Sequence, residues 1–275
     1  MLSRCASLQG GKEAVKEIYA VWRMAGTKTC ARYVGGILRH LPSVIRQQKL
    51  APADTAIRGE LRFCVMGCDL RLDGEYFSGA RELWGRQVYF MQPGFSIARG
   101  DVIVDLGANV GLFSLLAAKI GARVLAVEMQ SGLLPLIESN LKANGVADAV
   151  KIVWGVIASG SGIAADHSIR QTASHYFEPA PELSMMQLIR SHAIKRIDFL
   201  KIDIEGSEFD LFSTSSDWLG IVRKVAMEVH CRFGDAKMLS ETLRGAGFEV
   251  AFVENRGSVV PSFTTDGGYL FAWRT

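Results

Sequence analysis

The rhythm of hydrophobic positions changes twice along the chain. Over residues 1–58, Val15, Ile18, Tyr19, Trp22, Val34, Ile37, Leu38, Leu41 and Ile45 recur every three or four residues, which is the spacing of one helix face. Amphipathic helices are predicted there, broken near Gly26, at Gly35-Gly36 and at Pro42. Over 59–100 the pattern shortens to alternating runs at 61–66, 69–72 and 87–91, separated by turn signals such as Asp73-Gly74 and Pro93-Gly94. A small antiparallel β element is predicted. Beyond 101, apolar runs at 101–106, 123–128, 150–154, 197–203, 223–229, 248–253 and 268–274 alternate with helical stretches at 111–120, 131–144, 184–192, 207–213 and 235–245. That alternation predicts an α/β fold, a mostly parallel sheet with helices on both faces. The final two strands are joined by 254–268, a loop rather than a crossover helix, so the last strand is expected to be antiparallel. The chain thus divides into a helical extension (1–58), a β element (59–100) and an α/β domain (101–275).

The first strand of that domain runs into Asp105-Leu-Gly-Ala-Asn-Val-Gly111 and then an Ala-rich helix. A strand, a glycine turn and a helix in that order place backbone N–H groups where they can hold an anionic part of a ligand. Asp105 closes this strand. Glu128 closes the next, where an acidic side chain can take two ribose hydroxyls. The set points to an adenosine-containing cofactor. A nicotinamide-binding fingerprint is the competitor, but it carries glycine where Asn109 stands.

A second stretch, Ile197-Asp-Phe-Leu-Lys-Ile-Asp-Ile-Glu-Gly-Ser-Glu208, is a buried strand that ends in charges. Alternation puts Lys201, Asp203 and Glu205 on one face if the strand continues that far. Such groups are costly to bury without a ligand or mutual pairing. The plain alternative is a Lys–Asp pair with Glu208 capping the next helix. A third stretch, Val225-Ala-Met-Glu-Val-His230, places Glu228 and His230 on one side, and a histidine titrating near neutral pH can take a proton.

Together, the turn 105–111, Lys201-Ile-Asp-Ile-Glu-Gly-Ser-Glu208 and Met227-Glu-Val-His230 resemble the FkbM family of class I S-adenosylmethionine-dependent methyltransferases, over residues 80–275. The resemblance implies a Rossmann-like sheet and S-adenosyl-L-methionine as methyl donor, with S-adenosyl-L-homocysteine as product. It implies a hydroxyl acceptor on a sugar, polyketide or other natural product, with an amide or amine nitrogen as the alternative. Family members carry Glu-Pro at the second strand's end, where this chain has Glu128-Met129-Gln130. On this reading Gly107, Ala108, Asn109 and Gly111 hold the methionine end, and Asp105 fixes the loop or meets the amino group. Glu128 binds the ribose, Met129 packs on the adenine and Val156 lies beside it. Asp203 and His230 face the acceptor, with His230 the expected general base and Asp203 the alternative. Lys201 and Glu205 tune or orient them. An NAD-dependent oxidoreductase and a non-catalytic cofactor-binding protein are the other classes considered.

Composition narrows this further. A chain of 275 residues that is 49% hydrophobic supports a sizeable core. A net charge of +3 is too small to argue for nucleic acid, and no basic stripe with interleaved aromatics lines the strand ends. The basic residues of 1–58 read as a solvated face, with a docking surface for an acidic partner or substrate as the alternative, and the apolar positions beside them leave room for a homodimer. Five scattered cysteines suit a reducing compartment, and the close pair Cys64 and Cys68 read as small core residues. Residues 1–10 lack the apolar core of a signal peptide and no apolar run is long enough to span a bilayer, so a cytoplasmic protein without membrane contact is expected. Segment 158–183, with His167, His175, Tyr176 and Phe177, reads as an acceptor-side loop, and its histidines match no standard metal spacing. No metal is expected. Tyr76, Phe77, Glu82 and Trp84 are candidates to face the cofactor pocket.

Overall fold

The computed structural model describes residues 2–47, 49–158, 160, 180–213, 217–255, 257–263 and 267–274, with side chains from residue 14 onward. They form two compact units, Met1–Gln87 and Val88–Thr275. The helical segment and the β pair thus share the first unit.

In that unit α1 (Leu2–Arg39) is kinked at Gly26, whose φ of 75° and ψ of 176° interrupt the helix. No break occurs at Gly35-Gly36. The absent side chain of Gly36 serves a close approach instead, since a Cβ there would lie 2.6 Å from the Ala53 carbonyl oxygen. Pro42 stands in the first turn of α2 (Leu41–Gln47), where its missing N–H is not needed. The short α3 (Ala51–Asp54) leads to a hairpin of β1 (Glu60–Val65) and β2 (Cys68–Asp73), followed by the single turn α4 (Phe77–Ala80). Met66 and Gly67, at φ 48° and 77°, make the two-residue turn, as the twist of paired strands favours.

Alternation along β1 buries Leu61, Phe63 and Val65. It leaves Cys64 exposed, and Cys68 is only half-buried, so the pair are not core residues. Phe77 and Trp84 pack on Phe63 inside this unit, with ring centroids 6.5 and 5.2 Å away, and belong to its core instead of a ligand pocket. The third predicted strand run is also absent: Val88–Phe90 is a 3-10 turn, its apolar side chains serving the second unit. Exposed apolar side chains on the helices include Val15, Tyr19, Trp22 and Ile45.

The second unit is the alternating domain. Its elements are β3 (Val102–Leu106), α5 (Leu112–Ile120), β4 (Arg123–Glu128), α6 (Leu134–Ala143), β5 (Val150–Trp154), the two-residue pair β6 (Val156–Ile157) and β7 (Glu182–Leu183), then α7 (Met185–Ser191) and β8 (Phe199–Ile202). There follow α8 (Glu208–Ser213), β9 (Lys224–Val229), α9 (Ala236–Gly245), β10 (Glu249–Val253), β11 (Val259–Val260) and β12 (Gly268–Trp273). The main sheet has the order β11-β10-β12-β9-β8-β3-β4-β5. Strands β9, β8, β3, β4 and β5 are parallel, while β12 runs antiparallel to both β9 and β10. The expected sheet, with its reversed last strand, is the one observed, and β11 is an edge strand not anticipated.

Near-continuous apolar runs in β3, β8 and β9 suit strands covered on both faces. One layer packs Leu106, Leu200, Ile202, Met227 and Leu270 against helix residues such as Leu188, Leu211 and Leu239. Another stacks Tyr89, Phe90, Phe95, Phe113, Phe199 and Phe271. Strand order reverses between β3 and its neighbours β4 and β8, so their carboxyl ends part there and open a crevice. No helix among the described residues is long and apolar enough to cross a membrane.

The first unit is held by an ionic cluster. Arg81 grips Asp54 with two bonds of 3.0 Å and donates to Glu17 at 2.5 Å, while Arg86 donates to the other Glu17 oxygen. Arg81, Asp54 and Glu17 are all buried. Removing one partner of such a set leaves uncompensated charge. Arg81→Met is therefore expected to cost about 3–5 kcal/mol, read as a lower denaturant midpoint in unfolding of the full chain.

Candidate functional site

Parallel pairing of β3 and β8 sets Asp105 opposite Lys201. Both are buried, and the Lys201 ammonium lies 3.1 Å from one Asp105 oxygen while Ser114 donates to the other at 2.7 Å. The same ammonium donates to the carbonyls of Gly107 (2.6 Å) and Leu106 (3.3 Å), and it lies 3.9 Å from Asp203. Burial alone would depress the Lys201 pKa, but the charges of Asp105 and Asp203 outweigh it and raise it. Lysine here clamps the strand end to the turn.

The turn itself is tight. Gly107 has φ 76°, and a Cβ on it would come 1.8 Å from the Asp203 carbonyl oxygen, so only glycine fits between the ends of β3 and β8. Its amides were expected to face a ligand, but they are satisfied inside the protein. Gly107 and Ala108 both donate to the Val127 carbonyl at 3.0 Å, and Gly111 donates to the Ala108 carbonyl. Asn109 donates to Glu128 at 2.7 Å, and its own side chain, on a left-handed backbone, accepts from Val110.

Glu128 ends β4 with its second oxygen taking the Gln130 amide at 2.8 Å. Each oxygen thus keeps one acceptor position open. Burial raises the carboxyl's pKa, partly offset by those two amides. A cleft of about 640 Å³, counted out to its open mouth, lies beside this carboxylate. Gly107, Asn109, Glu128, Met129, Gln130 and Val156 line one part, and Asp203, Ile204, Glu205 and Ser207 another. Asp105, Ala108 and Gly111 do not line it; they support the turn behind.

At the acceptor end, Asp203 follows β8 and accepts a 2.9 Å hydrogen bond from the Tyr89 hydroxyl. Tyr89 is packed edge-on against Phe113 and Tyr269, and its ring lies 5.5 Å from the Lys201 ammonium. Burial first, then the Asp203 charge, lift the phenol well above its usual pKa. His230 follows β9. Its Nδ1 is 3.1 Å from Glu208 and its Nε2 is 3.3 Å from Glu205. Glu208, fully buried, also takes the amides of Gly206 (2.8 Å) and His230 (2.7 Å). Burial would lower the imidazole pKa, but the bond and charge of Glu208, then Glu205 and Glu228, push it up to about 9. Burial raises the Glu205 carboxyl.

The sequence pattern brings Asp203, Glu205 and His230 together, but it assigns Tyr89 only to the predicted strand run 87–91, with no role at the site, and does not single out Ser114. Glu208 reads from the sequence as a helix cap; its wider role in holding His230 depends on the β8–β9 pairing, which no local pattern reveals. The histidines and aromatics at 167–177 lie outside the described residues.

A sheet of five parallel strands flanked by the reversed strand β12, acids closing β3 and β4, and a cleft at the switch point define the Rossmann-like class I methyltransferase fold. More narrowly, the chain belongs to the methyltransferase FkbM domain family, matched over residues 105–250. The AMB antimetabolite synthetase AmbE of Pseudomonas aeruginosa is 29% identical over 223 residues, 62% of this chain and 10% of that protein. Methyltransferase sdnD of Sordaria araneosa is 24% identical over 190 residues, 54% of this chain and 73% of that one. Ribosomal protein L11 methyltransferase of Thermus thermophilus is 40% identical over 47 residues, 17% of this chain and 18% of that protein. The chain therefore spans about a tenth of AmbE and about a fifth of the L11 enzyme. Among solved structures, the METTL16 methyltransferase domain aligns with a TM-score of 0.41 at 16% identity, over 69% of this chain and 64% of its own.

If Lys201 is the clamp described, Lys201→Met should cost about 3–5 kcal/mol by stranding Asp105. The double variant Lys201→Met, Asp105→Asn should lose less than the two single losses summed. Denaturant unfolding of the four proteins checks both.

Proposed function

We propose that this chain transfers a methyl group from S-adenosyl-L-methionine to an acceptor hydroxyl on a sugar, polyketide or other natural product, the family's methyltransferase character supplying the starting point. One observation carries the reading. The turn's amides are already bonded within the protein, and the cleft wall carries Glu128, Asp203 and Glu205. A pyrophosphate needs free N–H donors and meets repulsion on such a wall. A ligand with hydroxyls and a cationic sulfonium finds acceptors and opposite charge.

The residues present fit that ligand. Glu128 has one open acceptor position on each oxygen for the two ribose hydroxyls. Met129, Val156 and Ile157 offer an apolar flank for the adenine. When bound, S-adenosyl-L-methionine supplies a methyl carbon made electrophilic by its sulfonium. Asp203 and Glu205 would orient the acceptor hydroxyl toward that carbon. With its pKa pushed up to about 9, the His230 ring carries protons on both nitrogens at neutral pH and has no lone pair to offer, so the hydroxyl's proton passes to a carboxylate instead of to the expected base. Glu205, with its raised affinity for a proton, suits that part. Tyr89 and Lys201 hold Asp203, and His230 holds Glu205.

Thermal melting tests the ligand. S-adenosyl-L-homocysteine at about 100 times its dissociation constant should add about 2.7 kcal/mol of stability, and NAD should add none. A response to NAD alone would sink the reading. With labelled methyl donor and a competent extract fraction, Glu205→Gln should keep its response to S-adenosyl-L-homocysteine. Its methyl transfer should fall by about 10²-fold or more.

A further inference from the structure

Two strand ends bring together side chains whose spacing in the sequence gave no hint of a metal. Asp203 and Glu205 come from the end of β8 and His230 from the end of β9, and one donor atom of each lies within 4.8 Å of the other two. Building on the methyl-transfer reading above, we propose that Asp203, Glu205 and His230 bind a divalent first-row cation that holds the acceptor's hydroxyl at the mouth of the cleft.

Two carboxylate oxygens and an imidazole nitrogen are a donor set that such ions accept. The ring is aimed from behind. Glu208, fully buried and outside the three donors, faces Nδ1 at 3.1 Å and fixes the backbone amide of the same histidine. A carboxylate on Nδ1 leaves Nε2 as the ligating atom, the arrangement that orients metal-binding histidines. That Nε2 points to Glu205, 3.3 Å away. A proton and a metal ion are rival occupants of the position between them.

Lys201 does not supply the needed charge, because its ammonium is engaged by Asp105 and two carbonyls and stands 3.9 Å from Asp203. Tyr89 takes one oxygen of Asp203 and leaves the other for a ligand. Access is open as well: Asp203 and Glu205 line the cleft, and the Glu205 side chain is 54% exposed.

A hydroxyl on the cation loses its proton more readily. The oxygen–methyl bond then forms as the carbon–sulfur bond breaks, and the proton goes to the Glu205 oxygen not on the metal.

The test uses the full chain, stripped with chelator and titrated with Mn²⁺ while free Mn²⁺ is followed by electron paramagnetic resonance, with Zn²⁺ by calorimetry as a second probe. One equivalent should bind. His230→Gln and Glu205→Gln should each weaken uptake at least about tenfold, and Glu208→Gln by about 10–100-fold. Melting with S-adenosyl-L-homocysteine on the same samples reports the fold and the cofactor cleft. If His230→Gln does not fold, Glu205→Gln, on a half-exposed side chain, decides. Uptake of neither ion, or uptake unchanged in the folded variants, overturns the cation site and leaves the methyl-transfer reading untouched. Metal uptake without any response to S-adenosyl-L-homocysteine leaves the site standing and removes the cofactor reading.

Discussion

A single ammonium, that of Lys201, ties the second unit's central strands to the turn beside them. It lies among Asp105, Asp203 and two carbonyls that belong to the end of β3 and the turn after it. Ions are expensive to take out of water, and this one is tolerated because every donor position has a partner. The geometry of the switch point follows. Asp105 can stand at zero exposure, the turn 107–111 can press against the end of β8, and Asp203 is held where β8 leaves the sheet.

The cleft next to this clamp is shaped by what is already satisfied. Val127, Glu128 and the Asn109 side chain absorb the amides of the turn, so the wall presents acceptors more than donors. Negative charge accumulates on the other side too, with Glu205, Glu208 and Glu228 around one imidazole. Ligands that carry positive charge or hydroxyl groups are favoured at such a wall and polyanions are not. Tyr89 adds a second kind of control, since it grips Asp203 from a 3-10 turn that lies before the family's matched residues.

Much of this was legible from the chain alone. Apolar runs of four to six residues in alternation with helices gave the sheet, its reversed last strand and the acids at the strand ends, because buried parallel strands and helix faces have distinct periods. Local pattern failed where one segment's fate is decided by another. Val88, Tyr89 and Phe90 alternate like a strand but turn as a 3-10 helix to fill the aromatic layer. Gly35-Gly36 reads as a break, yet the helix continues because Gly36 makes room for the Ala53 carbonyl. Cys64 looks apolar, but its place in the β1 alternation turns it outward. The inward direction of the turn's amides and the grip of Glu208 on His230 both depend on neighbouring strands and have no signature in spacing.

Strand β12 is the latest of the described strands in the sequence, yet it lies in the interior of the sheet, with β9 on one side and β10 on the other. During synthesis β10 and β11 emerge before it and have no route to the rest of the sheet except through it. Until those six residues pair, β9 presents a bare edge on that side and the β10–β11 pair is left undocked. A folding intermediate without β12 in place thus carries two open backbone edges at once, the kind of surface on which partly folded chains associate.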